Sequence, residues 1–298
     1  MRVAITGSSG VIGTALRSSL AVDGHDVLRL VRRPAESGGE IQWDPAAGWL
    51  DPARLEGVEA VVNLAGAGTG DHRWTRSYKQ TIRHSRVSAT TTLVHALAQL
   101  SERPRVLVSQ SRIHVYGDGH GSDVIDEDEP PGEGGFLASV ASDWEAAAAP
   151  AAAADIAVCN TRTGIVMTRR GGVLAEMLPM FRLGLGGPLA GGEQYWSYVS
   201  LPDTVAAIRF LIETHGCSGP YNLTAPEPVT NAEFTRVLAK ALGRPALLPV
   251  PEFALRIGLG ASAERAVDSL RVVPARLVEA GFKHQHPNAP SVVGAALR

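Results

Sequence analysis

The stretch "RVAITGSSGVIGTAL", residues 2–16, decides the fold of this chain. It opens with a short β-branched run, typical of a buried strand, and ends in apolar residues at helical spacing. Between the strand and the helix, three glycines fall in a GxxGxxG spacing, where they let the backbone turn tightly and approach a pyrophosphate. The N–H groups at the helix start then stabilise the phosphate charge. This pattern predicts a dinucleotide-binding turn with the residues Gly7, Ser9, Gly10, Val11, Ile12 and Gly13.

The rest of the chain repeats the alternation of strands and helices. Buried strands are predicted at 26–31, 59–66, 104–111 and 156–167, with helical stretches between them. This order predicts an α/β fold with a doubly wound parallel sheet. We expect residues 1–167 to form a Rossmann dinucleotide-binding domain and residues 168–298 to form a smaller substrate-binding lobe. The boundary is soft, because such lobes often exchange segments with the main sheet.

The composition argues against several classes of partner. Of the 298 residues, 45% are hydrophobic and 19% are charged, and the formal net charge is −2. Such a balance gives no electrostatic reason to expect nucleic acid or a membrane surface as partner. Two cysteines far apart in sequence, and a strand that starts at the second residue without a signal peptide, favour the cytoplasm. No metal is expected, because the pair His284 and His286 lacks a third ligand.

The end of the second strand distinguishes NAD from NADP. An acidic residue there would bind the ribose 2′-OH of NAD, whereas basic side chains accommodate the 2′-phosphate of NADP. The sequence reads "LVRRP", with Arg32 and Arg33 and no carboxylate, which favours NADP(H). The alternative is that both arginines only end a surface strand. The third strand ends in small residues, as expected where a backbone passes beneath a cofactor, and it adds Leu64, Ala65 and Gly66 to the cofactor site.

Ten motifs, in order along nearly the whole chain, carry a family resemblance. They are "TGSSGVIG" (6–13), "QWDP" (42–45), "NLAGAG" (63–68), "HRWTRSYKQTIRHSRV" (72–87), "VYGD" (115–118), "FLASVASDWE" (136–145), "RTGIV" (162–166), "LGLGGPLAGGEQYWSYVSLPD" (183–203), "YNLTAPEPVTNAEF" (221–234) and "RVVPARLVEAGF" (271–282). In these the chain resembles an atypical extended short-chain dehydrogenase/reductase of the epimerase-family, or nucleoside-diphosphate-sugar-epimerase-like, subgroup. The resemblance implies an N-terminal Rossmann domain and a C-terminal substrate lobe. It does not by itself assign a reaction.

The resemblance also implies a tyrosine whose pKa is lowered by a lysine four residues later, and this chain lacks that pair. The residues four positions after the five tyrosines are Ile82, His120, Val199, Pro202 and Ala225. No lysine occurs between Lys79 and Lys240. Three explanations remain open. The proton donor has moved, or water or substrate supplies the proton, or the protein binds NADP(H) without turnover.

A moved proton donor is expected in "SQSRIHVYGD", residues 109–118. In related enzymes this strand ends beside the nicotinamide, and a serine or threonine there hydrogen-bonds the reacting oxygen. We assign that role to Ser111, although a count without an inserted residue would place it on Arg112. Tyr116 is the expected hydroxyl near the substrate, His114 a candidate acid and Arg112 a candidate for orienting a carboxylate or phosphate. The alternatives are a packing role for Tyr116 and simple polar rim residues for Arg112 and His114.

Four further residues are candidates for contacting the substrate. They are Lys79, Gln194, Tyr195 and Trp196. Lys79 would point from its helix into the cleft, unless it is an ordinary solvated lysine, and the other three would shape the pocket, unless they only pack a hairpin.

Together these features predict an NADP(H)-dependent oxidoreductase for a small carbonyl or hydroxyl compound. The alternatives are a sugar-nucleotide epimerase-like enzyme and a non-catalytic NADP(H)-binding regulatory protein. A homodimer is common in the superfamily, but nothing in the sequence selects it.

Overall fold

The first half of the chain builds most of the central sheet. The computed structural model describes residues 1–298, apart from the side chains of residues 258, 259, 265 and 266. In chain order the elements are β1 (Arg2–Thr6), α1 (Val11–Val22), β2 (Asp26–Val31), β3 (Glu40–Asp44), β4 (Trp49–Leu50), β5 (Ala60–Asn63), α2 (Arg76–Ala98), β6 (Val106–Arg112), β7 (Val124–Ile125) and α3 (Phe136–Ala148).

The second half adds the remaining strands and a set of shorter helices. They are β8 (Ala157–Thr163), β9 (Ile165–Met167), α4 (Gly172–Arg182), β10 (Tyr195–Trp196), β11 (Tyr198–Ser200), α5 (Leu201–Glu213), β12 (Gly219–Leu223), β13 (Val229–Thr230), α6 (Asn231–Leu242), α7 (Glu252–Leu259), α8 (Glu264–Val267), β14 (Arg271–Val272), α9 (Ala275–Glu279) and α10 (Ala289–Leu297).

Eight strands form one sheet in the order β12-β8-β6-β5-β1-β2-β3-β4. All neighbours are parallel except β3 and β4, which run antiparallel at one edge. The chain reverses its direction across the sheet at β1, so a crevice lies at the carboxyl ends of β1 and β5. The predicted α/β doubly wound sheet is therefore confirmed.

Helices cover both faces of this sheet, which explains the apolar runs in the inner strands β1 and β5. On one face, Leu16 and Leu20 of α1 and Ile208 of α5 pack on Val3 and Ile5 of β1. On the other face, α2 packs on the sheet, and α3 packs on α2. Two-sided burial makes β1 a rigid support for the glycine turn that follows it.

The residues after 167 contribute to both parts of the molecule. β12 pairs with β8 in the central sheet, and α5 packs on α1. The smaller lobe has a core of its own, in which Trp196, Tyr198 and Phe234 meet the apolar faces of α4, α6 and α10. The division of the chain at residue 167 stays a prediction. The segments on its two sides interleave in space, because β12 and α5 pack with elements of the first segment.

Candidate functional site

The turn between β1 and α1 has no room for side chains at Gly7 and Gly13. Gly7 has φ +63°, and a Cβ there would lie 2.5 Å from the carbonyl oxygen of Leu64. A Cβ on Gly13 would lie 2.3 Å from the carbonyl oxygen of Gly7. Gly10 is the N-cap of α1, and no side chain caps this helix start. The turn thus presents backbone at a helix N-terminus, and its shape fits a pyrophosphate.

A buried hydrogen-bond network fixes the segment that follows β5 against this turn. Thr6 Oγ1 donates to Asn63 Oδ1 at 2.8 Å and accepts from the backbone N–H groups of Leu64 and Ala65 at 3.0 and 3.1 Å. Asn63 Nδ2 in turn donates to Thr90 Oγ1 of α2 at 2.8 Å. The predicted cofactor residues after β5 and the glycine turn after β1 therefore lie on one rigid crevice.

The arginines at the end of β2 differ in their surroundings. Arg33 donates to both oxygens of Glu40, at 2.7 and 2.8 Å, and Arg29 contacts the same carboxylate. The hydrogen bond from Arg33, and then one from the backbone N–H of Glu36, lower the pKa of Glu40 to about 2. Among the ion pairs of the described residues, none includes the exposed Arg32. Arg32 is therefore the more accessible cation of the two.

Glu40 is a carboxylate that sequence reasoning missed at this site. It starts β3 rather than ending β2, and the parallel pairing of these strands places Glu40 opposite Arg29. Its two arginine partners neutralise it, so its presence does not turn the strand end into an acidic site.

At the end of β6, Ser111 and Tyr116 belong to a buried polar network. Ser111 Oγ donates to Glu145 Oε1 at 2.7 Å. Glu145 also accepts two hydrogen bonds from Arg162, each 3.0 Å long. The Tyr116 hydroxyl donates to Asn222 Oδ1 at 2.7 Å, and the Arg162 guanidinium lies 4.8 Å from the Tyr116 ring centre. Both hydroxyls are thus already engaged with other side chains.

These contacts bear on the roles expected for the two hydroxyl groups. Burial raises the pKa of Tyr116 to about 12, so its phenol stays protonated across the physiological range. Tyr116 is only 1% exposed, and Ser111 is fully buried. Their assignment to the reacting oxygen stays a prediction, and it requires a rearrangement that frees each hydroxyl.

His114 and Arg112 occupy the same strand end in a different way. His114 Nε2 lies 3.8 Å from Asp268 Oδ2, which brings the segment after α8 against the end of β6. Burial, with smaller contributions from Glu264 and Asp118, raises the pKa of Asp268 to about 7. Arg112 is half-buried, and its positive charge repels that of Arg86 on α2. Of the four predicted catalytic residues, His114 alone pairs with a group whose pKa lies near neutral pH.

Arg86 is the second residue that sequence reasoning missed. It is 6% exposed, and burial, followed by repulsion from Arg112, lowers its pKa to about 10. A Cβ on Gly66 would lie 3.1 Å from the Arg86 guanidinium carbon, so the guanidinium borders the segment after β5. Nη1 donates to the Ile82 carbonyl at 2.9 Å, and Nε has no hydrogen-bond partner among the described residues.

The signal for Arg86 is present in the sequence. Ile82, Ala89 and Leu93 form the buried stripe of α2, and Arg86 falls in that stripe at helical spacing. An arginine inside an apolar stripe is costly unless something compensates its charge. None of the salt bridges among the described residues includes Arg86. Its guanidinium carbon lies 5.0 Å from the Trp144 ring centre, so a cation–π contact compensates part of its charge and an anionic group near the end of β5 would add to this.

The predicted substrate residues lie in two places. Lys79 lies on α2, where its ammonium is 4.9 Å from the Phe136 ring centre and 5.7 Å from that of Trp74. The other three follow each other before and in β10. Gln194 donates to the Leu189 carbonyl at 3.0 Å, the Tyr195 ring lies 4.8 Å from the Arg271 guanidinium, and Trp196 lines a cavity of the smaller lobe. Their contact with substrate stays a prediction.

Neither a metal-binding cluster nor a membrane-spanning helix occurs in the described residues. No group of three or more His, Cys, Asp or Glu side chains there has the arrangement of a metal site. No helix in the described part of the chain is both long and apolar enough to cross a membrane.

Comparisons with known proteins agree with this geometry. The model of the NAD dependent epimerase/dehydratase family matches residues 3–224, and a domain of unknown function matches residues 250–296. An epimerase family protein of Mycobacterium leprae is 42% identical over 99% of this chain and 94% of its own length.

Two solved structures are similar over the whole chain. A crystal structure of the human epimerase family protein SDR39U1 (isoform 2) with NADPH superimposes with a TM-score of 0.90, at 30% identity over 99% of both chains. A nucleoside-diphosphate sugar epimerase from Corynebacterium glutamicum superimposes with a TM-score of 0.81, at 32% identity over 100% of this chain and 58% of its own. These matches confirm the resemblance read from the sequence motifs. The chain belongs to the NAD dependent epimerase/dehydratase family, as an atypical extended short-chain dehydrogenase/reductase.

Proposed function

We propose that the chain binds NADP(H) in the crevice between β1, β2 and β5. The glycine turn would hold the pyrophosphate, and Arg32 would contact the 2′-phosphate with Arg33 held beside it by Glu40. The crystal structure of the human relative with NADPH supports the same cofactor for this chain.

We propose the cytoplasm as the compartment of this protein. Cys159 and Cys217 are both free thiols, and the Cys159 sulfur donates a hydrogen bond to the Cys217 carbonyl oxygen at 3.3 Å. Free thiols are typical of a reducing compartment.

The replacement Arg32→Ala tests the choice of cofactor. It removes a charge-assisted hydrogen bond to the 2′-phosphate, so NADPH affinity should fall by about 10- to 100-fold while NADH affinity stays within about twofold. Titration of NADPH and NADH fluorescence measures both affinities. Arg54→Ala, in the turn at residues 52–55, is the matched control and should change neither. An equal loss for both cofactors would show that Arg32 does not read the 2′-phosphate.

We further propose that the chain is an oxidoreductase for a small carbonyl or hydroxyl compound. The observation that carries this proposal is the buried Arg86 guanidinium at the end of β5, which lies over the Trp144 ring but has no ion-pair partner among the described residues, and whose charge is repelled by Arg112. When bound, NADPH supplies a hydride to the carbonyl carbon. Arg86 would stabilise the negative charge that develops on the carbonyl oxygen, and Arg112 would orient the substrate. These two cations would replace the electrostatic part of the missing tyrosine–lysine pair.

His114 is the proton donor that we propose for the alkoxide oxygen. Its Nε2 lies 3.8 Å from Asp268 Oδ2, and the raised pKa of Asp268, about 7, places a second group that titrates near neutral pH beside the imidazole. Ser111 and Tyr116 remain the alternative donors if their hydrogen bonds to Glu145 and Asn222 open. The overall change is balanced, because the carbonyl gains one hydride and one proton to become an alcohol.

A panel of carbonyl compounds with NADPH tests this proposal and its alternatives. A reductase consumes NADPH, a sugar-nucleotide epimerase interconverts isomers without net change in NADPH absorbance, and a non-catalytic binding protein does neither. The epimerase alternative is favoured by the structural similarity to the Corynebacterium protein. An enzyme that binds NADPH but reduces no member of a broad panel would contradict the oxidoreductase proposal.

The replacement His114→Gln tests the proton donor once a substrate is found. Loss of a positioned acid should lower kcat by about 10²- to 10⁴-fold and flatten the pH profile of kcat near neutral pH. Tyr116→Phe is the matched control, because it also removes a hydrogen bond at the end of β6, and it should leave kcat within about threefold. The opposite ranking of the two variants would assign the proton to Tyr116.

A further inference from the structure

A cavity of about 370 Å³ lies in the smaller lobe, outside the proposed cofactor crevice. Helices α4 and α7 and strand β10 enclose it, with Met177, Phe181, Leu189, Trp196, Val250 and Leu255 in its wall. Its volume falls within the range of sites for small organic ligands. The cavity is therefore large enough to hold a ligand, and its lining decides which kind.

The lining is almost wholly apolar. Among the described lining residues Glu176 is the only one with a charged side chain, and none is a lysine, arginine or histidine. Phosphate groups are bound in proteins by arginine, lysine or open helix N-termini. A nucleoside diphosphate would meet only Glu176 here and would be repelled, so the lining selects a neutral, lipophilic ligand.

Trp196 contributes an aromatic ring to this apolar wall. Its side chain is 2% exposed, and its ring packs on Phe234 with ring centres 5.5 Å apart. The indole nitrogen is itself buried, so a ligand in the cavity would meet carbon atoms of the ring and not the N–H group. An aromatic ring in the wall adds to its preference for a hydrocarbon ligand.

Apolar residues also surround the cavity at the protein surface. Met180 and Leu185 line the cavity and are 49% and 44% exposed, so the cavity reaches solvent between them. Leu183, Leu248 and Phe253 are exposed in the neighbouring segments. Exposed apolar groups at the mouth of a cavity favour the entry of apolar molecules.

We infer that this cavity binds a neutral lipophilic compound through its hydrocarbon part. Trp196 follows Tyr195, whose backbone N–H donates to Ser269 at 3.1 Å, and Ser269 follows Asp268, the partner of His114. The binding does not depend on the proposed function, because no lining residue belongs to the proposed cofactor crevice or is the proposed proton donor.

Equilibrium binding of 2-undecanone to the full chain, followed by titration calorimetry, tests the inference. The wild type should bind with a Kd of about 10 to 100 µM, as expected for a ligand of this size. Trp196→Phe keeps an aromatic ring in the cavity wall with a smaller contact area, and it should weaken binding by no more than about threefold. Trp49→Phe, at an exposed tryptophan on the edge strand β4, is the matched control and should leave the affinity unchanged.

A second variant, Ala254→Leu, fills part of the cavity from α7 and should weaken 2-undecanone binding at least about 10-fold. NADPH titration of every variant shows whether each is folded, and NADPH affinity should not change. Absence of ketone binding in the wild type, or equal affinity in Trp196→Phe and Ala254→Leu, overturns the inference. So does a stable dimer that excludes the ketone by covering the cavity mouth. Ketone binding without NADPH binding would instead overturn the proposed function and leave this inference standing.

Discussion

Replacement of Gly13 by alanine is expected to lower the affinity for NADPH by about 100-fold or more, because the backbone of the glycine turn must move. The new Cβ would lie 2.3 Å from the Gly7 carbonyl oxygen and 2.8 Å from the Ser8 Cα. Both are backbone atoms, so no side-chain rotation relieves the overlap. Titration of NADPH fluorescence measures the loss directly.

The matched control for this prediction is Gly294→Ala. Gly294 lies inside helix α10, and a Cβ there meets nothing within 4 Å. The alanine should leave NADPH affinity unchanged and stabilise the helix by about 0.5 to 1 kcal/mol. An unchanged NADPH affinity in Gly13→Ala would show that the cofactor does not approach this turn.

The replacement Arg162→Leu is expected to lower the free energy of unfolding by about 3 to 5 kcal/mol, since it leaves a buried carboxylate without its partner. Arg162 and Glu145 have side chains only 5% and 12% exposed, and two hydrogen bonds of 3.0 Å join them. The same change removes the cation that lies against the Tyr116 ring. Urea unfolding followed by circular dichroism measures the loss.

Two comparisons separate this effect from a general cost of removing a charge. Glu252→Gln breaks an exposed pair with Arg256 and should cost no more than about 0.5 kcal/mol. The double variant Glu145→Leu, Arg162→Leu removes both buried charges and should be more stable than Arg162→Leu alone. If the single and double variants were equally unstable, the loss would come from packing and not from an uncompensated charge.

Sequence patterns predict the local parts of this molecule well. The β1 strand, the glycine turn and α1 follow one another along the chain, so their spacing is enough to predict both the fold and the cofactor crevice. Likewise, the alternation of strands and helices predicts the sheet, because each element carries its own periodicity. Arg32 is found in the same way, since it directly follows a predicted strand, and its contact with the 2′-phosphate stays a prediction.

The rest of the site depends on contacts between distant segments. Ser111 and Tyr116 look like free hydroxyls beside a sheet edge, yet Glu145 from α3 and Asn222 from β12 bind them. The contact between His114 and Asp268 joins residues that are far apart in the chain. Parallel pairing of β2 and β3 brings Glu40 to the arginines. No local pattern encodes these partners, so sequence reasoning finds the residue types without their pairing.

The measurement that tests the central claim most directly is a crystal structure of the full chain with NADP⁺. We predict the pyrophosphate at the turn between Gly7 and Gly13, the 2′-phosphate within hydrogen-bonding distance of Arg32, and the nicotinamide on the side of the crevice that Arg86, Arg112 and His114 border. Such a complex would support an NADP(H)-dependent oxidoreductase. A dinucleotide bound elsewhere, or a nicotinamide with only apolar groups around its reactive carbon, would contradict it.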